Sequence, residues 1–313
     1  MATSATATTA IRARRSRGTD QNCISRLVYC IGAAVSRWPS GYDNPVRIRF
    51  WGVRGSVPFA TPRSIGHGCN TPCIEVRSER TGAVLVLDAG SGIVGLGDAL
   101  ETRGGPIPIL LTHYHWDHIQ GLPFFTPFYR RGWSPTVFAP IIGGADRAFV
   151  ETIFHTPFFP VPFENLESRP EVTLIPAQDL EIGEFHIRVQ PLKHPGGAFA
   201  YRIKGDRGDV VYATDHEFGD PDCDRALAAF SRGASAAILD AHFTPDELPA
   251  HKGWGHGSWK QCVAFAAANE IGKLWLFHHK PGRTDEEMAE IATRAQEIFP
   301  STSAASEGTS FDL

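Results

Sequence analysis

No apolar stretch in the sequence is long enough to cross a bilayer, which takes about 20 consecutive residues in a helix. A spanning helix is therefore not expected, and neither is a membrane partner. Cysteine is sparse. There are 6 in 313 residues, scattered, with Cys69 and Cys73 the closest pair and no zinc-finger spacing. This excludes a disulfide-stapled scaffold and points to a reduced, cytoplasmic protein. A basic excess is also missing. The 30 Lys and Arg face 34 Asp and Glu, a formal charge of −4, so there is no general pull toward nucleic acid. No internal repeat is found. What remains is a globular balance of 42% hydrophobic and 20% charged residues, enough to bury a sizeable core.

Residues 1–44 differ from the rest. An Ala/Thr/Ser-rich start is followed by Arg12, Arg14, Arg15 and Arg17 and a short apolar run over 27–35. The set faintly resembles a targeting segment, but Arg37-Trp38-Pro39 stands where a cleavage site of small residues would be wanted. A disordered N-terminal extension, or an over-long start of the reading frame, is expected there, with the folded domain over 45–313. In that domain, Val46-Arg47-Ile48-Arg49-Phe50-Trp51 alternates as a half-buried strand does. Further strands are expected at 73–77, 84–88, 107–111, 172–175, 185–190, 200–203, 210–213, 236–239 and 274–277. A helix over 258–271 is expected to end on Gly272. A last helix opens on the capping box Thr284-Asp285-Glu286-Glu287 and carries Met288, Ile291, Ala292, Ala295, Ile298 and Phe299 on one face. Both halves thus read as strands flanked by helices. Two aromatic groups stand between them. Phe124, Phe125, Phe128, Tyr129 and Trp133 form the first; Phe154, Phe158, Phe159 and Phe163, broken by prolines, form the second. Core packing is the simpler expectation for both; a hydrophobic wall that stacks on a flat group is the other.

The densest chemistry lies in Leu110-Leu111-Thr112-His113-Tyr114-His115-Trp116-Asp117-His118. An apolar strand stops at Thr112, and three imidazoles and a carboxylate follow within six residues. These are poor core residues and good ligands for divalent metals such as zinc. In an extended turn His113 and His115 point the same way. Asp117 and His118, at a helix start, can face a second ion. Two close cations can share a hydroxide and activate it.

This stretch resembles the His-x-His-x-Asp-His signature of the metallo-β-lactamase superfamily. Phe50-Trp51-Gly52-Val53-Arg54-Gly55-Ser56, Gly68-Cys69-Asn70-Thr71 and Leu87-Asp88-Ala89-Gly90-Ser91-Gly92 resemble its phosphodiesterase and ribonuclease Z-like branch. The resemblance implies an α/β fold, a four-layer αβ/βα sandwich. It implies two divalent cations, with zinc expected and manganese or iron fitting the same ligands. His113, His115 and His194 would hold one ion; Asp117, His118 and His278 the other; Asp215 would bridge them. His279 is adjacent to His278 and stays open as the alternative ligand. Asp88 would buttress the metal loop.

The same resemblance implies a hydrolase in which a metal-bridging hydroxide attacks a phosphodiester. Asp117, His256 and Asp240 are the catalytic candidates. His256 would contact a phosphate oxygen or protonate the leaving group, and the second role, with Asp240 orienting the ring, is the one expected. The segment Ile238-Leu239-Asp240-Ala241-His242 departs from the family, which has a histidine where Leu239 stands. Ribonuclease Z relatives grip tRNA with a long basic arm, and 178–192 offers only a short turn. A small, cyclic nucleotide-like phosphodiester is therefore expected rather than a nucleic acid polymer. A thioester hydrolase of the glyoxalase II type and a ribonuclease are the alternatives. A homodimer is compatible with the sequence.

Overall fold

The computed structural model describes residues 44–100 and 104–313, so the extension expected over 1–44 lies outside them except for Asn44. Asn44 is buried and its side-chain oxygen accepts from Ser78 Oγ at 2.6 Å, which places it in the fold rather than in an extension. Among the described residues no helix is long and apolar enough to cross a membrane.

The first half contains β1 (Val46–Gly52), β2 (Cys73–Ser78), β3 (Val84–Leu87), α1 (Gly92–Ala99), β4 (Gly105–Leu110), α2 (Trp116–Ile119), β5 (Trp133–Pro140), α3 (Arg147–Thr152) and β6 (Glu171–Ile175). The second contains β7 (Leu180–Ile182), β8 (Phe185–Leu192), β9 (Ala198–Lys204), β10 (Asp209–Ala213), α4 (Pro221–Ser231), β11 (Ala236–Asp240), α5 (Trp259–Ala268), β12 (Lys273–Phe277), α6 (Asp285–Ile298), β13 (Thr302–Ala304) and β14 (Ser310–Asp312). They build two seven-stranded sheets, ordered β14-β1-β2-β3-β4-β5-β6 and β13-β12-β11-β10-β9-β8-β7.

Each sheet is antiparallel on one side and parallel on the other. The switch falls at β3 in the first sheet and at β10 in the second. The two halves thus repeat one pairing scheme that leaves no trace as a sequence repeat. The reason is physical: pairing runs through backbone groups, and any apolar residue of fitting size fills the core.

Alternation explains the layers. In β3, Leu85 and Leu87 enter the core between the sheets, while Val84 and Val86 face the helices outside. In β12, Trp275 and Phe277 point inward, Leu274 and Leu276 outward. A strand buried on both faces reads as a continuous apolar run. The outer layers are closed on one side by Ile93 and Leu96 of α1 and Val150 of α3, and on the other by Leu227, Trp259, Val263, Met288, Ile291 and Ala295. This is the four-layer αβ/βα sandwich expected.

Some local expectations change. Phe125, Phe128, Phe154 and Phe163 join the outer core of the first sheet, with edge-on or tilted ring contacts of 5.2 to 6.4 Å. They are packing residues and not a wall; Phe124 and Phe158 are exposed. α5 stops at Ala268, three residues early, and Glu270, not Gly272, takes the left-handed conformation (φ 57°). Gly272 is needed for a close approach, since a Cβ there would lie 2.6 Å from the Ser235 carbonyl oxygen. α6 begins with the Thr284–Glu287 capping box as expected, but Ile298 on its last turn is exposed.

Candidate metal centre

The sandwich carries its chemistry where strands end, the usual position for sites on α/β sheets. Asp88 follows β3, Thr112 to His118 follow β4, His194 follows β8, Asp215 follows β10, Asp240 ends β11, and His278 follows β12. Asp88, Asp215 and His278 have φ of 58°, 58° and 59°. Left-handed backbone costs a non-glycine residue about 1–2 kcal/mol. Such strain survives only where the surroundings over-determine it, and here it turns each side chain out of its strand into one space.

The ring protons are tied off on the outer side. His118 Nδ1 donates to Asp88 Oδ2 at 2.8 Å, and His194 Nδ1 to the Gly255 carbonyl at 2.8 Å. The Thr112 hydroxyl donates to Asp88, at 2.9 and 3.0 Å from its two oxygens, and so accepts from His113 Nδ1 at 3.0 Å. The Nε2 lone pairs therefore face inward. His194 Nε2 lies 2.9 Å from His115 Nδ1. Asp117 Oδ2 accepts the Ser56 backbone N–H at 2.7 Å and lies 3.1 Å from His278 Nε2. Asp215 lies amid the rest, its oxygens 3.3 Å from His118, 3.5 Å from His278, 3.8 Å from His194 and 4.0 Å from His113.

Ligand atoms within 4.8 Å of one another fall into five sets: His113, His115 and His194; Asp117, His118 and His278; His113, His118 and Asp215; His194, Asp215 and His256; and Asp240, His242, His256 and His278. The buried Nε2 atoms of His113 and His118 have no hydrogen-bond partner. Leaving such an atom unsatisfied costs about 1–3 kcal/mol. Asp117 and Asp215 have only imidazoles as ion-pair partners among the described residues. Open nitrogen lone pairs around shared carboxylates fit a pair of divalent cations.

Burial and charge divide the imidazoles. Burial holds His113 well below the usual histidine range, lowers His115 and takes His194 to about 4, so all three are neutral, as metal ligands must be. Burial also opposes charge on His118, but Asp117, Asp215 and Asp88 outweigh it and raise the ring. Burial works to raise Asp117, yet His118 and His278 hold it well below the carboxylate range. Burial pulls His256 down, but Asp240, whose Oδ2 accepts its Nδ1–H at 2.7 Å, wins and raises it to about 9.

Of the two adjacent histidines, His278 is in the cluster. His279 donates from Nε2 to the Ala305 carbonyl at 2.9 Å, and burial lowers it to about 3. Leu239 packs into the core beneath the helices, while His242 enters the site, its ring stacked 4.5 Å from His256. Sequence reasoning missed His242, the Ser56 N–H, Tyr212 and Glu217. Tyr212 donates its hydroxyl to Asp88 at 2.7 Å. The Glu217 carboxylate accepts the N–H of Gly253 (2.9 and 3.0 Å) and of Gly255 (2.8 Å). Two glycines are sterically required: a Cβ on Gly55 would sit 2.4 Å from the His278 ring, and one on Gly255 2.1 Å from His194.

A family model, the beta-lactamase superfamily domain, matches residues 85–279. The chain belongs to that superfamily. Within it, the chain is 26% identical over 313 aligned positions to ribonuclease Z of Bradyrhizobium sp. (strain ORS 278), covering 82% of this chain and 96% of the relative. Two solved structures share the superfamily fold. The metallo-beta-lactamase fold protein YhfI from Bacillus subtilis has a TM-score of 0.66 at 19% identity, covering 87% of this chain and 100% of that one. A diphosphatase from the PhnP family has a TM-score of 0.64 at 18% identity, covering 86% and 97%.

Asp88 collects the Thr112 backbone N–H (2.7 Å), the Thr112 hydroxyl, His118 and Tyr212. An amide cannot accept from all of them, because one of its ends is itself a donor. Asp88→Asn is expected to keep the fold and weaken cation binding about 10- to 100-fold, the usual cost of losing a ligand's outer partner. Competition with a coloured chelator measures this, and unchanged affinity would free Asp88 of the role.

Proposed function

We propose that this superfamily member is a metal-dependent hydrolase that cleaves a small phosphodiester. The observation that carries the reading is the convergence of His113, His115, His194, Asp117, His118, His278 and Asp215 from separate strand ends, with the buried Nε2 atoms of His113 and His118 left without partners. The first three would hold one cation, the next three a second, with Asp215 shared. Zinc suits this donor set, and manganese or iron would be accepted. Bound divalent cations would supply Lewis acidity and a nucleophile competent at neutral pH.

The chain's own residues do the rest. The Ser56 N–H fixes the Asp117 carboxylate. Asp240 holds the Nδ1 proton of His256 and keeps the ring protonated at neutral pH. His256 then donates a proton to the departing oxygen. Water is kept from the sheet side by the apolar residues of β3, β10 and β12.

The relatives named ribonuclease Z favour RNA as a second reading. Against a polymer stand the formal charge of −4 and the tight β7–β8 hairpin, which turns at Gly183 with no arm. Metal analysis with a substrate panel decides. The expected result is about two equivalents of metal, turnover of bis-p-nitrophenyl phosphate and of 2′,3′-cyclic nucleotides, and weaker cleavage of a tRNA precursor. Preferred tRNA cleavage would select the ribonuclease, and thioester turnover alone would overturn the phosphodiester reading.

A further inference from the structure

Two tryptophans stand exposed beside the metal centre, Trp116 at 54% and Trp254 at 61%. Trp116 lies between His115 and Asp117 in the chain. Trp254 precedes Gly255, whose carbonyl accepts from His194, which in turn faces His115. One run of contacts thus joins the backbone at both indoles.

Trp254 is displayed on a built arch. Gly253 and Gly255 on either side have φ of 90° and 87°. Both N–H groups end on the carboxylate of Glu217, a residue 7% exposed. The Glu217 N–H donates to the Lys193 carbonyl at 2.9 Å, next to His194, and the Trp254 N–H donates to the His251 carbonyl at 3.1 Å. The His251 ring meets the indole edge-on at 4.8 Å and stacks on Phe243 at 4.4 Å. A buried carboxylate and two left-handed glycines therefore hold in water a side chain that gains by leaving it. A solvated loop needs neither. An indole with an open face binds flat rings by stacking, whatever their hydrogen-bonding edge.

We infer that Trp254 is a stacking platform for the base of a nucleoside phosphate, held beside the centre by the Glu217 arch. The inference rests on the phosphodiester reading and narrows its substrate class. Glu217 is a positioning residue that acts through the backbone of Gly253 and Gly255.

Calorimetric titration of the cation-loaded protein with adenosine monophosphate and with ribose 5-phosphate tests it. The wild type is expected to prefer the nucleotide by about tenfold, the low range of one base–aromatic stack. Trp254→Ala should abolish the preference while leaving ribose 5-phosphate binding within about twofold, and Trp254→Phe should restore much of it. Glu217→Gln should lose part of the preference with the indole intact, because its amide N–H opposes the glycine N–H donors. Equal weakening of both ligands in Trp254→Ala, or no preference in the wild type, overturns the platform alone. If neither ligand binds the wild type, the phosphodiester reading fails and takes the platform with it. Circular dichroism of each variant shows that a loss is not unfolding.

Discussion

Asp215→Ala is expected to fold, to retain less than one tightly bound divalent cation per chain, and to hydrolyse phosphodiesters about 10³-fold more slowly or worse. The estimate follows from the several kcal/mol that metal ions contribute to such reactions, at tenfold per ~1.4 kcal/mol. Asp215 is the group whose loss reaches both halves of the centre. Its oxygens lie within 4.0 Å of His113, His118, His194 and His278. Burial alone would raise this carboxylate, yet His278, His118 and His113 hold it well below the usual range. It therefore enters the site as an anion with two acceptors to share. Removing it leaves those imidazoles without the charge that gathers them. His113→Ala should cost less metal, since His115 and His194 remain. Metal content by plasma emission after gel filtration, alongside turnover, separates the two variants. Two full equivalents retained in Asp215→Ala would refute the shared role. Full wild-type activity after exhaustive chelation would remove the metals from the reaction altogether.

The expected fold and the candidate ligands were legible for one reason. Strands buried on both faces must be continuous apolar runs, and such runs end abruptly where the chain meets the site. Leu110-Leu111 before Thr112, Val210 to Ala213 before Asp215 and Leu274 to Phe277 before His278 all show this edge. β5 was hidden by Pro135 and Pro140, residues that argue against a strand. β13 and β14 are three residues long, too short for a period to register. The choice between His278 and His279 turns on φ 59° at His278, a rotation that the sequence does not encode locally. The Ser56 N–H on Asp117 is a backbone donor, and every non-proline residue has one. Glu217 was passed over because its partners are the amides of Gly253 and Gly255, 36 and 38 residues away, rather than a charge. Leu239 told against a proton donor at its own position. The tertiary fold answers by bringing in His242 three residues later, beside His256.

His256→Ala should show which of these two imidazoles moves the proton. On a diester with an alkyl leaving group the rate is expected to fall about 10²- to 10⁴-fold, the range for general acid catalysis. On bis-p-nitrophenyl phosphate, whose leaving phenolate needs no proton, the fall should be far smaller. Asp240→Asn should give the same pattern more weakly, because the Nδ1–H then faces an amide instead of the Oδ2 at 2.7 Å. The pH profile carries an independent sign. His256 is raised to about 9, so the acid form is present below that value and is lost as pH rises through it. The wild-type rate on the alkyl ester should therefore drop on the alkaline side, and His256→Ala should lack that limb. His242 is a poor substitute, since burial takes it to about 3 and its ring is neutral at neutral pH, with its one proton held on Nδ1. Its Nδ1 donates to the His278 carbonyl at 3.0 Å, so it braces the strand end that bears His278. Near-wild-type turnover of the alkyl ester by His256→Ala would assign the leaving-group proton to another donor and leave Asp240 with only a packing role.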